Sequence, residues 1–153
     1  MKKFSCLFAL FFACTTTASV LAQSDDASPF HGAQPTKSHY RAVYQLNTAD
    51  TSVIRHALAN IQNALNDPRL KGKLEVELVV YGGAVAAYKK DKPYFEKDIR
   101  KLKDQGVIMA MCENTMRMRK ISRDELFPFV SYVPSANGEL IIRDQEGWSI
   151  IRP

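Results

Sequence analysis

Five consecutive apolar residues, Val107-Ile108-Met109-Ala110-Met111, follow Gly106 and run into Cys112-Glu113-Asn114-Thr115. A run that short with no polar alternation reads as a strand buried on both faces. Such a strand needs a layer of helices on each side, so the segment points to an α/β architecture with a parallel sheet. Cys112 then sits at the carboxyl end of its strand. Loops at that edge of an open α/β sheet converge on helix N-termini, and ligands collect there.

The residues before and after fit that architecture. Arg41 to Leu46 reads as a first strand, and Asn47-Thr48-Ala49-Asp50 as a turn with Asp50 placed to cap a helix. Val53, Ile54, Ala57, Leu58, Ile61 and Leu65 then recur at helical spacing, Arg55, His56, Asn60 and Asn63 take the other face, and Asn66-Asp67-Pro68 ends the helix. His56 thereby reads as a solvated helix residue rather than a catalytic base, and a pairing with Cys112 would have to arise from the tertiary fold.

Leu74 to Tyr81 alternates at first and then runs apolar, as a second strand, closed by Gly82-Gly83 where the backbone must turn tightly or approach a ligand. A short helix over Ala84 to Tyr88 and a clearer one over Tyr94 to Lys103 follow, the latter with Phe95, Ile99 and Leu102 inward and Gly106 beyond its end. After Cys112, Asn114 or Thr115 is placed to cap a short basic helix from Met116 to Lys120. Ser122-Arg123-Asp124-Glu125 has capping-box spacing, and its short helix ends near Pro128. Phe129 to Val133 reads as the fourth strand and Trp148 to Ile151 as the last. Asn137 to Glu146 stays open between a hairpin turned at Asn137-Gly138 and a helix.

The first residues have the three parts of a secretory signal: basic Met1-Lys2-Lys3, apolar Phe4 to Cys14, and the small-residue cleavage site Val20-Leu21-Ala22 before Gln23. The expectation is a signal peptide over 1–22, removed on export to the periplasm or outside the cell. The apolar part is far shorter than the ~20 residues a spanning helix needs, so no stable membrane span is expected. A lipoprotein signal at Phe12-Ala13-Cys14 is the weaker reading, because Phe11 stands where Leu is usual. Residues 23–39, rich in Asp, Ser, Pro and Gly, read as a flexible leader with too little apolar surface to offset its ordering entropy, and residues 40–153 as one domain.

Signal cleavage would remove Cys6 and Cys14 and leave Cys112 alone of 3 cysteines, so no internal disulfide is expected. It would also remove Lys2 and Lys3 from 21 basic residues against 16 acidic ones, lowering the net charge from +5 to +3. That is too mild a charge to argue for nucleic acid, and no stretch interleaves aromatic with basic residues as a nucleic-acid platform would. His31 and His39 have no partner ligands at metal-binding spacing, and no cofactor is implied.

A thiol between a strand end and a helix start meets oriented N–H groups and the positive end of the helix dipole, both of which favour thiolate. Arg117, Arg119 and Lys120 lie within two turns and act in the same direction, whereas Glu113 opposes them. Without a Cys-x-x-Cys the chain is no self-contained dithiol oxidoreductase. With no histidine on a loop expected at this edge, a Cys-His hydrolase is disfavoured. An activated single thiolate can still accept and pass on a group, and sulfane sulfur suits it, since a persulfide is a reversible cysteine modification. Tyr81, Gly82 and Gly83 would supply the neighbouring wall.

These residues carry a resemblance. Gly106-Val107, Cys112, Asn114-Thr115-Met116, the strand ending Tyr81-Gly82-Gly83, and the later Val133-Pro134-Ser135 and Glu146-Gly147-Trp148 resemble the DsrE/DsrF-like family, with Cys112-x-Asn114-Thr115 the most specific part. The resemblance spans Tyr40 to Pro153. It implies a flavodoxin-like three-layer α/β sandwich around a parallel five-stranded sheet, a helix at Asn137 to Glu146, and homo- or hetero-oligomers. It also implies, from the sulfur-relay members, that Cys112 carries a persulfide and hands it to a partner protein. On the reading of the residues themselves, Asn114 and Thr115 shape the helix start and Gly82 and Gly83 the opposing loop. Two rival expectations belong to other classes: an oligomeric binding or scaffold domain in which Cys112 is merely packed, and a redox-sensing thiol that forms a sulfenic acid or bridges two subunits.

Overall fold

The structure is a computed structural model that describes residues 29–153. The expected signal peptide and the first residues of the expected leader lie outside the described residues. The chain divides into two units, residues 1–32 and 33–153, and among the described residues the regular elements all lie in the second.

Five strands build the sheet: β1 Tyr40–Leu46, β2 Leu74–Val80, β3 Ile108–Cys112, β4 Ser131–Val133 and β5 Ser149–Ile151. All pairings are parallel, in the order β4-β3-β2-β1-β5. Four α-helices join them: α1 Thr51–Asn66, α2 Glu96–Asp104, α3 Glu113–Arg119 and α4 Ala136–Gln145. A 3-10 helix at Gly82–Tyr88 follows β2, and a shorter one at Arg123–Glu125 precedes β4. This is the expected parallel five-stranded α/β fold.

The local chemistry agrees with the expected boundaries in most places. Asp50 caps α1 through the N–H groups of Ser52 and Val53. Ser122 accepts from the backbone of Glu125 while the Glu125 carboxylate takes the Ser122 N–H at 2.9 Å, completing the capping box. Asn137 to Glu146 resolves as the helix α4, because Ser135 Oγ accepts the Gly138 N–H at 2.9 Å and starts the helix before Asn137-Gly138 can turn a hairpin. The helix after Cys112 begins earlier than expected, at Glu113, so Cys112 is its N-cap residue and Asn114 and Thr115 lie inside the first turn. The last residues of the expected leader touch the domain: Ala33 O accepts from Arg69 at 3.3 Å, and the Thr36 and Lys37 N–H groups donate to the Tyr40 hydroxyl at 2.7 and 2.9 Å.

The chain steps one way across the sheet from β1 to β4 and then returns to lie beyond β1. Right-handed crossovers put α1, α2 and α3 on one face and α4 on the other. The packing agrees. Ile54, Ile61, Ile99, Leu102 and Met116 share one core with Tyr44, Leu78 and Met109 of the sheet, whereas Ala136 and Leu140 of α4 share a second with Val43, Val79, Ala110, Cys112 and Trp148. The helices that follow β3 and β4 therefore leave in opposite directions. A crevice opens at the carboxyl ends of these two neighbouring strands, and it is the crevice where this class of sheet binds ligands.

Candidate functional site

Cys112 lies in that crevice. It pairs in register with Val133 at the end of β4, and its Sγ accepts the Ala136 N–H, the first of α4, at 3.3 Å. The sulfur thus faces the N-termini of two helices, α3 that it starts and α4 that crosses over it. The side chain is 4% exposed. It borders an open pocket of about 180 Å3 lined also by Tyr81, Asn114, Thr115, Met118, Ser135, Ala136 and Asn137.

The electrostatics follow from the placement. Burial pushes the Cys112 thiol up, but the N–H groups of Thr115 and Ala136, the Thr115 hydroxyl and the Asn114 N–H together outweigh it, and the thiol lies below its ordinary value. Thr115 Oγ1 accepts the Gly82 N–H at 2.9 Å, which leaves the hydroxyl proton free to point at sulfur.

The other expected residues divide between lining the pocket and holding its wall. Tyr81 lines it, and its hydroxyl donates to Gln45 at 2.9 Å. Asn114 also lines it, with its side-chain oxygen held by the Arg117 guanidinium. Gly82 reaches the pocket only through Thr115. Gly83 packs on the β1–α1 turn, with its N–H on Asn47 O at 2.9 Å. A Cβ at Gly83 would lie 2.8 Å from Ala49 N, and one at Gly82 would lie 2.9 Å from Asn47 O, with Gly82 at a φ of 55°. At both glycines the close approach that the structure shows is that of the chain's own backbone, the tight-turn alternative of the two.

Sequence reading missed the contribution of α4. Ser135, Ala136 and Asn137 complete the pocket from a segment whose Asn-Gly pair also fits a hairpin, and the Ser135 N-cap followed by Glu139 was the available signal. Met118 on the rim is 86% exposed, as no soluble-helix pattern would require. The exposed Arg117, Arg119 and Lys120 follow Cys112 as expected, while Glu113 is paired with Arg123, which also stacks on Tyr132 at 4.3 Å. His56 is exposed on α1. Among the described residues, no group of three or more His, Cys, Asp or Glu side chains could hold a metal ion.

The DsrE/DsrF-like family model matches residues 26–153. The chain belongs to the DsrE/DsrF-like family. It is also similar to the structure of a protein of unknown function, MTH1491, from Methanobacterium thermoautotrophicum, at 32% identity and a TM-score of 0.69 over 74% of this chain and 99% of that one. A conserved protein of unknown function, BT1422 from Bacteroides thetaiotaomicron, shares the fold at 11% identity, with a TM-score of 0.59 over 74% of this chain and 94% of that one. No curated protein matches the chain. Among the described residues of this DsrE/DsrF-like protein, no helix is long and apolar enough to cross a membrane.

Proposed function

We propose that this is an exported DsrE/DsrF-like protein that binds and transfers sulfane sulfur as a persulfide on Cys112. The observation that carries the reading is the Cys112 sulfur between two helix N-termini, accepting the Ala136 N–H, in an open pocket at the crevice of the sheet. The Cys112 thiolate attacks the outer sulfur of a donor persulfide. A Cys112–sulfur bond forms, the donor's sulfur–sulfur bond breaks, and the donor leaves as a thiolate, so no external oxidant or reductant is needed. Handing the sulfur to an acceptor thiolate repeats the exchange with Cys112 as the leaving group, and a depressed thiol pKa makes it a good one. Thr115 and the Ala136 N–H hold the Cys112 sulfur as the attacking thiolate and again as the leaving thiolate. Tyr81 and Asn114 border the incoming group, and Gly82 and Gly83 keep the Tyr81 wall in place.

The partner in this reading, a second copy or a donor or acceptor protein, meets the α4 side of the molecule. Ile141, Ile142 and Ile150 are 63%, 55% and 38% exposed there, and a groove of about 560 Å3 lined by Tyr81, Asn137, Ile141 and Ile150 continues from the Cys112 pocket. Residues 1–22 act as the export signal and 40–153 as the working domain. Mass spectrometry of the secreted form, reading a mass that begins at Gln23, tests the first point.

Incubation with a small-molecule persulfide donor followed by intact-mass analysis tests the chemistry. A gain of one sulfur atom that Cys112→Ser abolishes is expected, and absence of the adduct on the wild-type chain overturns the reading. The scaffold reading keeps one observation in its favour, the 4% exposure of Cys112. It requires a thiol that alkylating reagents reach only after denaturation.

A further inference from the structure

The second face of the sheet holds a charged cluster in a place where apolar packing is the rule. Glu77 sits in the middle of β2, 1% exposed, on the face that carries Val79. Its carboxylate accepts from Arg143 Nε at 2.6 Å, and the Arg143 guanidinium also meets Glu139 at 2.9 Å and Glu146 at 3.2 Å. Arg143 lies over the Trp148 ring at 4.2 Å as well. Nothing in sulfur transfer uses these groups directly.

Their place along α4 gives them a role. Ala136, Leu140 and Arg143 stand at i, i+4 and i+7, one stripe facing the sheet, with Ala136 at the Cys112 end and Arg143 at the Glu77 end. Glu77 is in register with Ile108, four residues before Cys112 in β3. That separation is about 13 Å of strand, against about 10 Å of helix between Ala136 and Arg143. Between the two ends the helix touches the sheet through the small and smooth Val43, Val79, Ala110 and Leu140. Apolar contact of this kind is non-directional and sets no axial position. A hydrogen-bonded ion pair does.

We infer that the Glu77–Arg143 pair is a positioning device for Cys112, fixing α4 along its axis so that the Ala136 N–H meets the sulfur. The pair does not touch the reacting atoms. It acts through seven residues of helix on the donor that holds the thiolate. This rests on the Cys112 reading above only in taking the thiolate as the working form.

The test is the pH titration of thiolate absorbance in the ultraviolet, taken as a difference from the Cys112→Ser chain so that no other thiol contributes and no reagent need enter the pocket. Glu77→Gln keeps the shape and one acceptor but removes the charge, and the expected result is a thiolate fraction at neutral pH reduced at least threefold. Arg143→Lys keeps the charge and loses the fork, and is expected to fall between the two. Ile61→Val, in the core on the opposite face, lowers thermal stability without moving the thiol titration. A Glu77→Gln chain that melts earlier and titrates like wild type shows a merely structural pair and overturns the inference. If Glu77→Gln fails to fold, an Arg143→Lys titration unchanged from wild type does the same. The sulfur adduct on wild type is a separate readout, so loss of the persulfide reading and loss of the positioning role are told apart.

Discussion

Thr115 concentrates two jobs in one hydroxyl. It accepts the Gly82 N–H, joining α3 to the loop after β2, and it offers its proton to Cys112. Thr115→Val, nearly the same shape, is expected to leave the Gly82 N–H without its acceptor and to cost about 1–3 kcal/mol in denaturant unfolding. The same change is expected to raise the thiol titration, and Thr115→Ser to restore both. Cys112 itself was legible in the sequence because an apolar run gives way at once to polar residues, and that is how a buried strand reaches a crevice. Thr115 was legible only as a helix-start residue. Its bond to Gly82 joins residues 33 apart, and no local pattern reports such a distance.

At the scale of elements, α4 decides whether Cys112 is a site or a packed residue. Its start is set by Ser135, whose side chain caps the helix and also borders the pocket. Ser135→Ala should destabilise the protein by about 1 kcal/mol, the usual cost of a lost N-cap. Ser135→Asp separates the two roles. An Asp caps as well as a Ser, so thermal stability should hold, but a carboxylate beside the sulfur disfavours the thiolate and the thiol titration should move up. A titration that stays in place in Ser135→Asp would mean that the helix end does not face the sulfur in solution.

The sequence left this element open for a physical reason. Asn137-Gly138 has the turn chemistry of a hairpin, and only Ala136 and Leu140 of the helix are buried, while Ile141 and Ile142 face outward and blur the helical stripe. β3 and α1 were legible because burial on one or both faces left an unbroken pattern, as in Met109, Ala110 and Met111 of the strand and Ile54, Ala57, Leu58 and Ile61 of the helix.

For the whole molecule, the Glu77 cluster ties sheet, helix and stability to pH. Glu75 and Glu77 alternate with apolar residues, and that alternation reads as a strand face open to water. The fold instead lays Arg143, 66 residues later, across it. Burial raises the Glu77 carboxyl above its ordinary 4.5. Arg143 pulls it back only in part, and Glu139 and Glu75 add to the rise. Tyr88, on the other face of the sheet, feels the same charge and is itself held well above its ordinary value by burial and by Glu77. A group whose pKa is higher folded than unfolded binds its proton more tightly in the fold. Its contribution to stability is complete below the unfolded value and is lost as pH rises through the folded one. Glu77 therefore favours the fold under mildly acid conditions, opposite to Asp67, which Arg69 holds at about 2 and whose contribution is lost as pH falls below its ordinary 3.8. Glutamine cannot titrate, so the difference in unfolding free energy between wild type and Glu77→Gln isolates the one group. Measured by denaturant unfolding at intervals from pH 4 to pH 8, that difference should shift in favour of wild type as pH falls. A difference that is flat across the range, or that shifts toward Glu77→Gln on acidification, would mean that Arg143 offsets the burial of Glu77 in full and that α4 is held as firmly by charge at neutral pH as the sheet allows.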